Sequence, residues 1–478
     1  MKPLLALFLV FPVFASEPDR AATVRERLAG HTKNRSLTVA ALMTAATLPE
    51  GYKQQAPGIT KDTADLAEWW KQFHDPELDS LIERAIRGNI DLRIAATRVT
   101  QARALEKAQR SSLFPTLSLA GAFGRNRNLI PIAPSYETNN IQTALDASWE
   151  ADLFGGNRKA VSASTADTRS AEEARRDALV TVTGEVARAY AELRGLDRRL
   201  AITRATIATQ SDTLHLTQVR AEAGLATELD VAQQTTQLST TQAAEPALEA
   251  ARLQTVQRLA VLLGLQPQAL LDELHAPAGL PVVPPMIAAG LPSDLLSRRP
   301  DVRKAQAEIV AAAARLGAAR TDLFPKFTIT GLFGRQGNSF SGISLGAGNF
   351  FSIGPAISLP IFTGGRIRAN IAANDARLQE AQARYEGAML TALEDVENAL
   401  SSYAREDERR VKLTVAADAS RTAVDLAREL YTRGLADFLS VLDAQRQQYA
   451  AEDGLAQSET AIVTNVVALY KSLGGGWK

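Results

Sequence analysis

Two hydrophobic periods alternate along the chain. Over residues 141–153, Ile141, Leu145, Trp149 and Leu153 share one side, while Gln142, Asp146, Glu150 and Asp152 face the other. Phe351, Ile353, Ile357, Leu359 and Ile361 likewise oppose Ser352, Gly354 and Ser358. A period of two with one apolar and one polar face predicts a strand between unlike environments. The strand windows, about 114–154 and 324–362, leave room for spans of roughly 9–11 residues, the length that crosses a bilayer. A half-buried soluble sheet has the same alternation, so the strands alone do not decide.

The helical segments do. No proline occurs from about Asn157 to Arg220, and the second arm, from about Arg366 to Arg433, contains only Gly387 as a potential breaker. Each arm predicts a helix of roughly 65 residues, on the order of 100 Å long. Globular helices seldom pass about 25 residues, so these are expected to be coiled-coil elements. Leu442, Tyr449, Ala456, Val463 and Tyr470 recur every seven residues on the returning helix, the spacing of a left-handed coil.

The chain is duplicated. Residues 91–125 and 301–335 align without a gap at an offset of 210, with fourteen identities in thirty-five positions. Leu113-Phe114-Pro115 answers Leu323-Phe324-Pro325, Gly224-Leu225-Ala226 answers Gly434-Leu435-Ala436, and Leu263-Gly264 answers Leu473-Gly474. Proline, glycine and phenylalanine keep step through helix, strand and turn, which chance similarity between alanine-rich helices does not produce. Repeat 1 (78–264) and repeat 2 (293–473) are each expected to read helix, two strands, long helix, tight turn and helix. The turns fall at 223–227 and 434–437. The leading helices are placed at about 79–112 and 293–322, the returning ones at 228–264 and 437–473. A leading and a returning helix laid end to end match one long helix. Their junction falls at mid-height, where the linker 265–292 carries six prolines and is expected to form a belt with segment 16–77 and the tail 474–478. Pro246 is expected to kink the helix that contains it.

Composition narrows the function. The 53 basic and 53 acidic residues cancel, leaving no electrostatic footprint for nucleic acid. Cysteine is absent, which removes thiol chemistry, cysteine metal sites and a cysteine-linked lipid anchor. The four histidines, His31, His74, His215 and His275, are not spaced as ligands or as a catalytic pair. Gly346-Ala347-Gly348 is an isolated loop motif without a phosphate-cradle context. No cofactor and no enzymatic activity are expected. Leu4–Ala15 behind Lys2 reads as a secretory signal over residues 1–15, and nothing later has the pattern of a membrane helix. Entry into a membrane would therefore require a closed barrel. The strand windows carry eight charged residues in eighty positions, less than half the density of the chain. Four strands are half of the roughly eight that the smallest such barrel needs, so several chains would have to close it.

An ordered set of motifs carries a resemblance. It begins with Trp69-Trp70-Lys71-Gln72-Phe73-His74-Asp75-Pro76, then Asn89-Ile90-Asp91-Leu92 and Leu113-Phe114-Pro115. It continues with Arg298-Arg299-Pro300-Asp301-Val302, Gly434-Leu435-Ala436, Val441-Leu442-Asp443-Ala444-Gln445-Arg446 and Leu469-Tyr470-Lys471-Ser472-Leu473-Gly474. From about residue 48 onward the chain resembles the TolC-like outer-membrane efflux factors, in the OprM/NodT branch. The resemblance implies a mainly α protein with a membrane β-barrel. Three copies would build a twelve-stranded barrel in the outer membrane, continued into a periplasmic helical tunnel. It also implies a passive exit duct for small molecules, docked to a periplasmic adaptor and fed by an inner-membrane transporter of the RND type. A type I protein-secretion duct and a periplasmic coiled-coil scaffold are the alternatives.

Leu439, Asp443 and Arg446, at i, i+4 and i+7, share one helix face after the second turn. By resemblance this face lines the periplasmic mouth, where threefold symmetry would make a leucine constriction, a carboxylate ring and an arginine ring. A solvated face with an Asp443–Arg446 pair is the plainer reading of the spacing. Residues at the positions of Tyr431 and Asp230 tie neighbouring helix pairs together in such relatives, although a family arginine is Ala436 here. The small residues of the turns, Gly224, Leu225, Ala226, Gly434, Leu435 and Ala436, are the expected adaptor-docking tips.

Overall fold

The computed structural model describes residues 51–53, 58–60, 62, 66–128, 136–340 and 343–477, all within the unit Glu50–Lys478. The expected signal, residues 16–47 and the centres of both strand-connecting loops lie outside the described residues.

Each half begins with a helix that breaks once. Helix α1, Pro76–Gly88, starts on Asp75, whose carboxylate accepts from the Glu77 and Leu78 amides at 3.0 and 3.1 Å. Asn89 then leaves the helical region (φ −60°, ψ 133°) and caps α2, Ile90–Ser111, by accepting from the Leu92 amide at 3.0 Å. The single helix expected over 79–112 is therefore two, because the Asn89 side-chain oxygen takes the Leu92 amide and so caps a new helix instead of continuing the old one. In the second half the break falls at Arg299 (φ −74°, ψ 119°), since Pro300 disfavours helical geometry in the residue before it. One turn, Leu295–Arg298, precedes that break, and α5, Pro300–Thr321, follows it.

Four strands, β1 Thr116–Asn128, β2 Tyr136–Ala151, β3 Lys326–Phe340 and β4 Ile343–Ser358, form one antiparallel panel in chain order. Their register lines up Leu119, Leu145, Phe333 and Phe351 in one row across all four strands, every one exposed. One residue along, on the opposite face, the row reads Ser118, Asp146, Leu332 and Ser352, polar except for Leu332. The panel thus has an oily face and a wet face. Among the described residues its outer strands, β1 and β4, each have an unpaired edge.

Helices α3, Gly156–Glu222, and α6, Arg366–Thr432, leave the panel through Gly155 (φ 77°) and Gly365 (φ 84°). Each has 67 residues and spans on the order of 100 Å. The returning helices α4, Glu228–Leu262, and α7, Phe438–Ser472, have 35 residues each, and α4 continues through Pro246. Of the seven-residue series, Leu442, Ala456, Val463 and Tyr470 are buried, and the Tyr449 hydroxyl lies 3.2 Å from Thr203 Oγ1.

The short helices meet end to end at mid-height. Asn89 Nδ2 donates to the Leu262 carbonyl at 2.8 Å, and Arg299 Nη1 donates to the Ser472 carbonyl at 3.1 Å. These bonds join residues related by the same 210 offset, one with a short amide and one with a guanidinium. Each satisfies a carbonyl at a helix end that has no intrahelical partner. Around the junctions Trp69 stacks on Tyr470 at 5.0 Å, and the Tyr470 hydroxyl donates to Gln72 Oε1 at 2.7 Å. The tail is bound into this belt: the Gly476 amide donates to the Leu66 carbonyl at 2.8 Å, and Trp477 Nε1 to the Arg298 carbonyl at 3.1 Å. The proline-rich linker is gripped by Arg252, which bonds the Leu274 and His275 carbonyls while paired with buried Asp197 at 2.7 Å.

Candidate gate at the helical tips

Both hairpins turn by the same device. The Leu225 amide reaches back to the Arg220 carbonyl at 2.7 Å and the Leu435 amide to the Leu430 carbonyl at 2.8 Å. Gly224 (φ 71°) and Gly434 (φ 74°) supply the left-handed residue that this helix ending requires. Leu225 and Leu435 project from the turns, largely exposed, with Ala226 and Ala436 beside them half-buried. The next helices start on swapped chemistry. In the first turn Thr227 is the cap, and Asp230 answers it from the third helical position, accepting from the Thr227 amide and hydroxyl, both at 2.9 Å. In the second, Asp437 is the cap and Ser440 the respondent, its amide donating to Asp437 Oδ1 at 3.0 Å. The Ser440 hydroxyl, and then its amide, hold the Asp437 carboxyl below its usual range. A depressed carboxyl contributes stability above its unfolded pKa, roughly 4, and loses it as pH falls through the folded value. Deuterium exchange over 434–442, corrected for intrinsic rate, is therefore expected to be flat from pH 8 to 5 and to accelerate below about pH 4. Exchange that rises first between pH 8 and 5 contradicts this cap.

The two tips differ in what fills them. Tyr431, buried, packs edge-on against Phe438 at 5.5 Å, with Val441 and Leu442 completing an apolar cluster. Arg220 from the other hairpin lies over the Tyr431 ring, 4.7 Å from its centroid, and donates to the Thr432 carbonyl at 3.2 Å. The Tyr431 hydroxyl is buried without a partner. Within the chain Arg220 bridges the two hairpins, and Asp230 serves its own helix cap. Composition could not single out Arg220 and Phe438; the only sequence signal was that the offset places Ala221 and Glu228 opposite Tyr431 and Phe438.

Above the tips the hairpins meet across a polar layer. Gln445 Nε2 donates to Thr213 Oγ1 at 2.9 Å and Arg446 Nε to Gln237 Oε1 at 2.7 Å across it, while Gln234 Nε2 donates to the Gln210 carbonyl at 2.9 Å within the first hairpin. Both amide atoms of Gln210 and the side-chain oxygens of Gln234 and Gln445 are buried without partners. A buried, half-satisfied polar seam is costly while closed and gains water when parted, so it resists separation less than apolar packing does. Leu439 and Asp443 stand exposed on the same helix face. Among the described residues no ion pair joins Asp443 to Arg446, because Arg446 turns to Gln237 instead. Asp443 therefore presents an uncompensated carboxylate, with Leu439 one turn closer to the tip.

An oily-faced strand panel continued by paired helices on the order of 100 Å long has the form of one wall segment of an envelope-crossing export channel. The chain belongs to the outer membrane efflux protein family, whose description matches residues 81–265 and 291–475, two segments again 210 apart. It is 32% identical over 440 residues to the solvent efflux pump outer membrane protein SrpC of Pseudomonas putida, covering 90% of this chain and 92% of that one. It is 34% identical over 436 residues to outer membrane protein OprJ of Pseudomonas aeruginosa, covering 89% of each. The solved outer-membrane channel OprN superposes with a TM-score of 0.84 at 35% identity, covering 90% of this chain and 97% of that one. The protein is an outer-membrane component of an efflux system.

Proposed function

We infer that three copies close a twelve-stranded barrel in the outer membrane and continue it as a helical tunnel through the periplasm. In this reading the duct is passive and is gated at its helical tips. The observation that carries it is the four-stranded panel, apolar on one face and mostly polar on the other, with two open edges among the described residues. An open edge is untenable in hydrocarbon, where each unpaired backbone group costs several kcal/mol. Threefold symmetry turns Leu439, Asp443 and Arg446 into rings. The Asp443 ring sets a negative potential at the neck that concentrates cations. Arg220, Tyr431 and Phe438 hold the inner and outer tips of each copy together, and Asp230 stiffens the outer one.

Gly224, Leu225, Ala226, Gly434, Leu435 and Ala436 form the docking edge for a periplasmic adaptor, which couples the duct to an inner-membrane transporter. Exposed leucines flanked by glycine and alanine let another helical tip approach closely. A relative named for solvent efflux supports small organic molecules as cargo. The test is light scattering on detergent-purified protein, followed by reconstitution into planar bilayers. A mass of three chains with single-channel steps and cation preference is the expected result. A detergent-free soluble monomer without conductance overturns the reading.

A further inference from the structure

The panel's two hairpins are copies of one another, and they differ at one charged position. Arg125 and Arg335 correspond at the offset of 210, and so do their cross-strand neighbours. Arg125↔Asn139 and Arg127↔Glu137 in the first hairpin become Arg335↔Asn349 and Gly337↔Ala347 in the second. Arg125 pairs with Glu137 at 2.6 Å. In the second hairpin that carboxylate is replaced by the methyl group of Ala347, and Arg335 forms no ion pair among the described residues. The connecting stretches 129–135 and 341–342 contain no acidic residue that could replace it.

Beside Arg335 the same exchange opens a groove of about 460 Å³, rimmed by Asn139, Thr143, Ser339 and Ser344. Gly337 stands where the first hairpin has Arg127, and Ala347 where it has Glu137, so the floor of the groove has almost no side chains. A bulge completes it. Gly337↔Ala347 is followed by Ser339↔Ser344, so β4 carries one extra residue there, with Gly346 at φ 91°. The extra residue turns Ser344 to the same face as Ser339. By the period of two, Arg335 and Ser339 share the face of Phe333, and Asn139 and Thr143 the face of Leu145. That face meets lipid in the closed barrel proposed above, on which this inference rests. Depth follows from the strand. Lys326, paired with Asp322 at 3.0 Å, marks the end of β3 nearest the helices, and Arg335 lies nine residues further on. At the usual tilt those nine residues rise about 23 Å, close to the full height of an apolar band, about 25 Å. A guanidinium on the lipid face is costly at mid-bilayer and tolerated at this outer edge, where headgroups begin.

We propose that this groove seats a phosphorylated glycolipid of the outer leaflet, one per chain, with its phosphate on Arg335 and its sugar on the polar rim. A guanidinium fits a phosphate with two parallel hydrogen bonds, supplying the anion that Ala347 does not. Asn, Ser and Thr offer both donors and acceptors, which is what sugar hydroxyls need. The Asn139 side-chain oxygen has no hydrogen-bond partner among the described residues. From Arg335 to Ser339 the strand covers roughly 13 Å, enough for a phosphate and the sugar that bears it. The acyl chains then continue onto Ile141, Phe333 and Phe351, all exposed on the same face. Charge favours the same occupant. The parts of the four strands nearest the connecting loops, 121–128, 136–143, 331–340 and 343–352, hold Arg125, Arg127 and Arg335 against the single acid Glu137. Such a rim is complementary to a leaflet studded with phosphates.

The test uses the detergent-purified full chain, stripped of lipid and incubated with lipid A bearing both phosphates or with its dephosphorylated form. Bound lipid is counted by native mass spectrometry. The phosphorylated form is expected to bind once per chain, and the dephosphorylated form about tenfold more weakly. Arg335→Gln is expected to show the same loss. So is Ala347→Glu, which gives Arg335 the internal carboxylate that Arg125 already has. Lys326→Gln removes an equal charge at the other end of β3 and is expected to leave binding near the parent value. Inorganic phosphate at equal concentration is expected not to displace the lipid. Should Ala347→Glu assemble poorly, Arg335→Gln carries the test, because its side chain is exposed. Equal binding of the two lipids, equal losses in Arg335→Gln and Lys326→Gln, displacement by inorganic phosphate, or equal binding of phosphatidylglycerol overturns the proposal. A monomeric mass is a separate failure: it removes the closed barrel, and the lipid site with it.

Discussion

Arg220→Ala is expected to raise the open-channel population in planar bilayers, and by more than any change confined to the Tyr431 hydroxyl. The guanidinium does two things that no neighbour duplicates: it covers the Tyr431 ring at 4.7 Å and bonds the Thr432 carbonyl at 3.2 Å. A cation–π contact and one charged hydrogen bond are together worth about 1–3 kcal/mol. Even 1.4 kcal/mol across the whole assembly shifts the open-to-closed ratio roughly tenfold. Tyr431→Phe, by contrast, removes a hydroxyl that has no partner among the described residues and is expected to leave conductance near the parent value. Asp443→Ala acts differently, because its carboxylate is exposed and unpaired. It is expected to raise conductance modestly and to reduce cation preference, read from the reversal potential in a salt gradient. Unchanged conductance in Arg220→Ala, together with unchanged selectivity in Asp443→Ala, removes the gate from the tips.

Much of this architecture was legible because it is periodic. The prolines, glycines and phenylalanines kept register over 210 residues, and the absence of proline between Asn157 and Arg220 allowed one unbroken helix. Patterns that depend on a single side chain were not legible. Whether residues 79–112 formed one helix or two turned on Asn89, which can sit inside a helix or cap one; the Leu262 carbonyl, 173 positions away, satisfies its amide in the broken form. Spacing alone allows Arg446 to pair with Asp443, because it cannot reveal that Gln237, from another helix, lies within 2.7 Å. The contact of Arg220 with Tyr431 is likewise between hairpins and has no local signature. The gate consists of contacts between hairpins, and hydrophobic periodicity describes one helix at a time.

The mid-height junction carries the largest expected stability effect, at Gly264. Two backbones meet there without side chains between them. A Cβ on Gly264 would lie 2.2 Å from the Gly88 carbonyl oxygen and 2.9 Å from its carbon, and a Cβ on Gly88 would lie 2.4 Å from the Leu263 oxygen. Gly264 also holds φ 74°, where a side chain costs about 1–2 kcal/mol by itself. The overlap is with backbone, which has no rotamer to yield, so the returning helix must be pushed off the leading one. That movement strains the Asn89–Leu262 bond 2.8 Å long. Gly264→Ala is expected to cost about 3 kcal/mol or more and to lower the denaturant midpoint of the helical signal sharply. Three other glycines calibrate the claim. Gly474, the repeat equivalent, has φ 76° and 3.1 Å clearances, so its alanine variant should fall between. Gly224, φ 71° with nothing within 4 Å, should cost only the left-handed penalty of about 1–2 kcal/mol. Gly387, mid-helix with open space around it, should gain about 0.5–1 kcal/mol from alanine. A Gly264→Ala protein as stable as Gly224→Ala means that the helices do not abut there. The matched lengths of the long and paired short helices would then have no structural consequence.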